Sequence, residues 1–415
     1  MLQCVADFSC DKGPEFRLSA MYCCGVRQGV GDVEHATQVR LTREVFAHLD
    51  ANTTALAPDV MYHATSAYDS PERLAREKEI LFRKYPLLMG LSGQLPNAGD
   101  FLTDDYSGVP IVVVRDRGGD VRAFLNVCRH RGARLVEGCG KTGRAFSCPY
   151  HGWSYSLQGA LMGIPDKDSF AGVDKADRGL VELPAIERDG MIWVIPTPGA
   201  ELDADAHLCG LAPELANYGF ADYHLYETRV LRRNFNWKMV IDTFLEPYHF
   251  GVLHANTVGP LLFPNLCLFD GFGPHLRETL PRRSIETLRD LPEADWDLIT
   301  HTAMVYVLFP NTVLVMQIDH VELWRVYPVA DNVDECVMYL DFLIPEPVET
   351  ESARQHWDRN MDLTIRTVDE EDFPVSAGIQ SGLASKAQSE LVFGRNEPAL
   401  AHFQSSINEA LAAVR

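Results

Sequence analysis

Two short segments, each with one cysteine and one histidine, constrain this 415-residue chain more than any other feature. In the first, one residue separates Cys128 from His130. In the second, two residues separate Cys148 from His151, and 17 residues lie between the two segments. The pattern predicts two loops that each present one thiolate and one imidazole to a shared ligand.

The order of these ligands distinguishes between two metal centres. A zinc site with two cysteines and two histidines usually keeps the cysteines together and the histidines together. A Rieske-type [2Fe-2S] cluster binds one iron through two thiolates and the other through two imidazoles, which raises its reduction potential. Zinc stays an alternative, but the interleaved order favours the iron-sulfur cluster. Cys139, between the two segments, is interpreted as a free thiol.

A second group of candidate ligands lies in the range 237–254. A helix there would place Asp242, Glu246 and His249 on one face, whereas His254 would need a helix end or a π-type bulge. Two histidines and one carboxylate on one side of Fe(II) leave positions open for O2 and substrate. A lone histidine is more often a core residue, but two of them beside a Rieske-type motif favour a mononuclear iron site.

Both groups resemble the large subunit of Rieske non-haem iron oxygenases, the family often called aromatic-ring-hydroxylating dioxygenases. The resemblance rests on the segments 126–132 and 148–153 and on the group 246–254, and it runs from about residue 60 to near the C-terminus. It implies that the four cysteine and histidine residues bind the cluster and that His249 and His254 bind the mononuclear iron.

The resemblance also implies a third iron ligand from a distant segment, Asp372. In the family this carboxylate lies on a C-terminal helix eight residues before a glutamine, and Asp372 stands eight residues before Gln380. Asp369 and Glu371 belong to the same acidic run. The alternative interpretation of that run is a solvent-exposed helix face.

Glu246 has a different implied role. In the family the acid at this position, commonly aspartate, does not bind iron. It hydrogen-bonds an iron-ligand histidine and a cluster histidine of the neighbouring subunit, so the resemblance implies a homotrimer, possibly with an added β subunit. A glutamate at this position resembles the family members that act on carnitine, choline and betaine-like substrates, but many other members also have a glutamate here.

The fold class expected is α+β, with an N-terminal arm at 1–55, a β-rich Rieske domain with a flanking helix at 56–200, and a catalytic domain at 201–415. Ser70 and Pro71 favour the start of the flanking helix, and Pro86 ends it. Apolar runs around a glycine turn predict a hairpin at 111–127. Further strands between 305 and 344, and helical spacing in 349–372 and 397–415, predict an antiparallel sheet with helices against it. The resemblance implies the helix-grip type.

The function expected is a terminal oxygenase component that hydroxylates or oxidatively demethylates a small organic substrate with O2. NAD(P)H would act through a separate ferredoxin or flavin reductase, because no nucleotide-binding glycine fingerprint follows a strand. Aromatic ring cis-dihydroxylation is one alternative, and electron transfer alone is another. An electron carrier would not need His249, His254 and Asp372.

Net charge and hydropathy limit the classes of partner that this chain is expected to bind. The net charge of -21 disfavours nucleic acid, and no apolar run approaches the ~18 residues of a membrane helix. Residues 1–13 lack the apolar core of a secretory signal, so a cytoplasmic location is expected. Between Cys128 and His151, by contrast, five basic residues and one acidic residue form a collar suited to an acidic reductase: Arg129, Arg131, Arg134, Glu137, Lys141 and Arg144.

Overall fold

The computed structural model describes residues 33–413, so most of the predicted N-terminal arm lies outside the described residues. The described part of the arm forms helix α1 (His35–Ala51), which the sequence analysis did not predict. Its buried Leu41 and Val45 lie on the face that packs toward the C-terminal half of the chain, where α1 contacts the strand Leu268–Phe272. The arm is therefore partly a structural element of the catalytic half.

The flanking helix is confirmed. The next elements are β1 (Met61–Ala64), α2 (Ser66–Asp69) and α3 (Pro71–Lys84). The Ser70 hydroxyl accepts the Arg73 N–H at 3.1 Å, and α3 ends before Pro86. The fully buried Glu77 of α3 pairs with the equally buried Lys238 at 2.9 Å, so this helix is anchored in the catalytic half. Strand β1 likewise pairs with the strand Glu390–Phe393.

Three small antiparallel sheets make up the Rieske half. Their strands are β2 (Leu87–Leu91), β3 (Asp100–Asp104), β4 (Ile111–Arg115), β5 (Val121–Leu125), β6 (Cys139–Lys141), β7 (Ala145–Ser147), β8 (Ser154–Ser156), β9 (Leu161–Gly163), β10 (Glu182–Leu183), β11 (Ala185–Arg188) and β12 (Met191–Val194). The strand orders in the three sheets are β10-β5-β4-β3-β6, β7-β8-β9 and β11-β12-β2. The predicted hairpin is confirmed as β4 and β5.

The catalytic half is built on a seven-stranded antiparallel sheet, which confirms the α+β class. Its elements are α4 (Ala204–Leu208), α5 (Ala212–Asn217), β13 (His224–Arg233), α6 (Trp237–Asp242), β14 (Leu268–Phe272), β15 (His275–Pro281), β16 (Thr302–Leu308), β17 (Thr312–Met316), β18 (Val321–Val329), β19 (Asn332–Ile344), α7 (Glu351–Ile365), α8 (Phe373–Ala384), β20 (Glu390–Phe393) and α9 (Pro398–Ala413). The strand order in the sheet is β13-β19-β18-β17-β16-β15-β14.

The predicted helix over 237–254 is wrong. Helix α6 stops at Asp242, and only a short 3-10 turn, Tyr248–Gly251, follows it. Pro247 explains the break, because proline lacks the N–H for the helical ladder and its ring clashes with the preceding turn. Asp242 therefore leaves the predicted face: its carboxylate accepts hydrogen bonds from Tyr68 Oη at 2.7 Å and Gln404 Nε2 at 2.8 Å.

A π-type distortion does occur, but in the carboxylate segment. The helical stretch predicted over 349–372 is α7 followed by a π-helical segment, Arg366–Asp372, which runs directly into α8. Segments of this kind are often found at functional sites, because the wider turn redirects side chains. In the described part of the chain, none of the helices combines the length and hydropathy needed to cross a bilayer.

Candidate metal centres

The two cysteine-histidine loops share one backbone design. In each, the cysteine N–H donates to the carbonyl five residues later at 2.8 Å, and the cysteine carbonyl accepts from a glycine four residues later at 2.9 Å. Those glycines, Gly132 and Gly152, have φ of 81° and 70°. A side chain would be strained in this left-handed region. The chain therefore forms the same tight turn twice, around Cys128 and around Cys148.

The side chains of these loops fit a [2Fe-2S] cluster. Both cysteine thiols are buried, and the His130 and His151 rings have centroids 4.6 Å apart. His130 Nδ1 is buried without a hydrogen-bond partner, although its ring stacks on Trp153 at 4.9 Å. A buried polar nitrogen without a partner is costly unless it binds something else. Two thiolates and two imidazoles are the donor set of a Rieske cluster.

Tyr155 is a contributor to this centre that the sequence analysis missed. Its hydroxyl lies 3.3 Å from Cys128 Sγ and accepts the Arg129 N–H at 2.9 Å. Burial raises the pKa of Tyr155 above its ordinary value, so the hydroxyl keeps its proton and can donate it to the sulfur. Hydrogen bonds to the sulfurs help to set the potential of such clusters. No spacing in the sequence indicates this contact.

The structure brings His249, His254 and Asp372 together. The two Nε2 atoms lie 3.1 Å apart, and Asp372 Oδ1 lies 3.1 Å from His254 Nε2 and 3.5 Å from His249 Nε2. Across residues 33–413 this is the one group of three or more His, Cys, Asp or Glu side chains whose ligand atoms all lie within 4.8 Å of one another, as a single metal ion requires. Two imidazoles and one carboxylate fit a mononuclear Fe(II) site with open positions.

Each histidine of this triad is held by its own carboxylate. Glu246 bonds His249 Nδ1 and also accepts the His249 backbone N–H at 3.1 Å. Glu371 Oε2 lies 2.6 Å from His254 Nδ1 and also accepts the Thr257 hydroxyl at 2.6 Å. Occupied Nδ1 atoms leave both Nε2 atoms directed at a metal. Glu371, named above only as a member of the acidic run beside Asp372, holds His254.

The charge of this compartment favours a cation. Burial lowers the pKa of His249, but its hydrogen bonds with Asp372 and Glu246 outweigh that effect and raise the pKa to about 9. Metals compete with protons for such nitrogens. Within the described residues, Glu246, Glu371 and Asp372 contact neither lysine nor arginine. Asp369, the other residue of that acidic run named above, is paired with Arg233.

The fold and the two donor sets define a class of protein: an iron protein with one iron-sulfur cluster and one mononuclear site. Two family matches agree with this class. The Rieske [2Fe-2S] domain matches residues 86–183, and the catalytic domain of the ring hydroxylating alpha subunit matches residues 220–413. The chain thus contains a Rieske domain followed by a ring-hydroxylating alpha-subunit catalytic domain, and its homologues are large subunits of Rieske oxygenases. Its cofactors are accordingly a Rieske cluster and a mononuclear iron.

The oxygenase subunit of carnitine monooxygenase from Acinetobacter baumannii is 32% identical over 200 residues, which cover 48% of this chain and 54% of the relative. Biphenyl 2,3-dioxygenase subunit alpha from Rhodococcus jostii is 31% identical over 278 residues, covering 63% and 55%. The chain thus spans about half the length of the curated relatives it matches. The quaternary ammonium Rieske monooxygenase CntA, solved with its substrate L-carnitine, shares the fold with a TM-score of 0.72, 22% identity, and coverage of 85% of this chain and 96% of that one.

Proposed function

We propose that this chain is a terminal oxygenase component that uses O2, and electrons from a separate NAD(P)H-dependent reductase, to hydroxylate or oxidatively demethylate a small organic substrate. One observation supports this proposal: the chain that holds the two cysteine-histidine loops also brings together His249, His254 and Asp372. An electron carrier needs only those loops, whereas the triad provides a second metal with open positions.

The chain's own residues would prepare both centres for this reaction. When bound, the cluster supplies single electrons and the mononuclear iron supplies the place where O2 and substrate meet. Glu246 and Glu371 fix the tautomers of the two histidine ligands. His254 is only 1% exposed, which limits the access of water to that side of the site. The protein thus provides ligation, orientation and a partly dry compartment.

We also propose that Glu246 passes electrons between subunits of a homotrimer. Its carboxylate already holds His249 and stays partly accessible, with a side-chain exposure of 17%. Nearby, Tyr248 and Val252 are 63% and 86% exposed, as expected for a surface that another protein chain covers. A neighbouring subunit that presents His151 there would complete a path from its cluster to this iron.

For the reductase, the relevant part of the basic collar is its two exposed residues without an ion pair, because a third unpaired residue, Arg129, is only partly exposed. Arg134 pairs with Asp105 at 2.6 Å, and Lys141 lies 3.6 Å from Asp100. Arg131 and Arg144 are exposed and form no ion pair within the described chain. We therefore expect the double charge reversal of Arg131 and Arg144 to glutamate to slow reduction by an acidic partner, more at low salt than at high salt. Equal slowing at every ionic strength would instead indicate a structural role.

The reaction type is proposed to be monooxygenation, including oxidative demethylation. Glu246 resembles the monooxygenating members, and one relative is named as a carnitine monooxygenase. Cis-dihydroxylation of an aromatic ring is a second candidate, because another relative is named as a biphenyl dioxygenase subunit. Product analysis with isotopically labelled O2 separates the two, since a dihydroxylated product carries both oxygen atoms and a monohydroxylated product carries one.

A metal count combined with O2 uptake tests the proposal. An oxygenase holds about three irons per chain, two in the cluster and one in the triad, whereas a carrier holds about two. The purified chain is then supplied with a surrogate reductase and NADH, and substrate-dependent O2 uptake is followed across a panel of amines and aromatic acids. About two irons and no substrate-dependent uptake would overturn the proposal.

A further inference from the structure

Glu278 on β15 is an unusual buried carboxyl. It is fully buried, and neither of its carboxyl oxygens forms a hydrogen bond. Among the carboxyl groups of residues 33–413, it is the one in which both oxygens are buried without a partner. The thiol of Cys267 lies alongside without closing a hydrogen bond of normal geometry. An acid left in this state is costly, so its retention calls for a ligand.

The direction of the Glu278 side chain follows from the register of the sheet. Successive residues of a strand point to opposite faces, and the buried Arg277 points to the face where it pairs with Glu214 of α5. Glu278 therefore points to the other face, where its cross-strand neighbour is the buried Val305. On that face Glu278 interacts electrostatically with Glu246 and His249. Burial raises the pKa of Glu278 to about 8, as expected for a buried acid that has no cationic partner.

Glu322 provides the comparison on the same face. In the row of directly opposed residues, Glu278 is followed by Val305, Val315 and Glu322, one on each successive strand. Glu322 is also buried, but its oxygens accept bonds from Thr364 Oγ1 at 2.9 Å and Trp324 Nε1 at 3.2 Å. This face of the sheet thus satisfies one buried acid completely and leaves the other unpaired, with valines between them.

We propose that Glu278 is a specificity-determining residue that receives the cationic nitrogen of an organic ammonium substrate. The inference rests on the proposed function, because it requires the compartment beside His249 to be the substrate site. Apolar neighbours such as Val305, together with one unpaired acid, suit a molecule with an apolar body and one positive charge. A neutral aromatic substrate would leave the carboxyl of Glu278 unpaired and would be disfavoured.

Binding of matched probes tests the inference without turnover. Isothermal titration of the iron-loaded protein compares several alkyl- and aryl-trimethylammonium compounds with their neutral tert-butyl isosteres. We expect at least one cation to bind ~10-fold or more tightly than its isostere, because one desolvated charge interaction is worth more than the tenfold step of 1.4 kcal/mol. Glu278→Gln should abolish that preference, and Glu322→Gln should keep it. Equal binding of cation and isostere, or no binding of any cation, overturns the inference.

Thermal stability provides a second measurement. An acid whose pKa is raised in the folded state destabilises the fold progressively as pH rises from its unfolded value to about 8. Glu278→Gln should therefore raise Tm, and by more at pH 8.5 than at pH 5.5. Glu322→Gln should lower Tm because it disturbs a satisfied network. If Glu278→Gln lowers Tm as Glu322→Gln does, the carboxyl is structural and the inference fails.

Turnover separates this inference from the proposed function. If cations bind through Glu278 but no substrate promotes O2 uptake, the proposed function fails and the cation site stands. If the wild-type protein oxidises neutral compounds as well as their cationic isosteres, the proposed function stands and the cation site fails.

Discussion

The two metal centres of this chain are constructed in opposite ways. The cluster ligands occupy two loops within residues 128–151, and both loops repeat one pattern of backbone hydrogen bonds. The mononuclear site combines a broken helix with a π-helical segment more than a hundred residues away, since Glu371 holds His254 across 117 positions. A centre encoded in local turns can be predicted from spacing alone. A centre assembled from distant segments depends on where each helix is interrupted.

Loss of a triad ligand should have the largest effect and should separate the two centres. His249→Ala removes one of three converging ligands, so the mononuclear iron and all product formation should be lost. The visible spectrum of the cluster should survive, because its ligands are separate. Metal analysis and absorption spectroscopy measure both results. Cys128→Ser is the reciprocal control, and a cluster that disappears with His249 but survives Cys128→Ser would reverse the two assignments.

Glu246→Gln tests the link between the centres. Both metals should stay near full occupancy, while product formation falls by ~100-fold or more, because the amide cannot hold the imidazole and pass charge as a carboxylate does. Glu246→Asp should retain more activity than the amide variant. The measurement is single-turnover oxidation of the pre-reduced cluster with substrate and O2 present. Wild-type rates would show that Glu246 does not link the two centres. Loss of iron even when iron is supplied in excess, beyond the ~10–100-fold weakening expected for a carboxylate that holds a ligand, would make Glu246 itself a ligand.

Glu371→Gln should have a smaller effect, confined to the mononuclear site. Removing a carboxylate that holds a metal-binding histidine typically costs ~10–100-fold in metal affinity or activity. We expect iron affinity to fall within this range and the cluster spectrum to stay unchanged. Glu370→Gln is the matched control, because Glu370 is the exposed neighbour on the same π-helical segment. If both variants weaken iron binding equally, the contact between Glu371 and His254 contributes nothing specific.

Tyr155→Phe should have the smallest effect. One hydrogen bond contributes ~0.5–1.5 kcal/mol, and 59 mV corresponds to about 1.4 kcal/mol for a one-electron couple. The cluster potential should therefore fall by ~20–60 mV when the bond to Cys128 is removed. Redox titration of the cluster measures this shift, and Tyr150→Phe is a control because its ring is exposed beside His151. An unchanged potential would show that the Tyr155 hydroxyl does not donate to the sulfur.

Much of the fold was predictable because it depends on local signals. The hairpin β4 and β5, the strand β18 and the capped helix α3 lie where apolar alternation, turn glycine and the Ser-Pro start placed them. The triad residues also converge as the family resemblance implied. Their roles as ligands stay predictions until the metal analysis is made.

The errors lie where a distant contact or a single residue overrides the periodic pattern. Pro247 breaks a helix whose spacing was otherwise regular, so Asp242 leaves the predicted face. The π-helical segment directs Glu371 and Asp372 to the same histidine, which α-helical spacing did not suggest. Helix α1 and the Tyr155 contact were missed because each depends on a surface from another part of the chain.

The pairing of β2 with β12 has a consequence for the modularity of the chain. The chain enters the Rieske half through β2 and leaves it through β12, and these two strands pair with each other. The preceding elements β1 and α3 pack into the catalytic half. The Rieske half is thus an insertion within the catalytic half, not a leading domain. A cut near residue 200 would strip the catalytic half of β1 and α3, whereas an exchange of the segment between β2 and β12 keeps both elements in place. Chimaeras between relatives should be joined at those two strands.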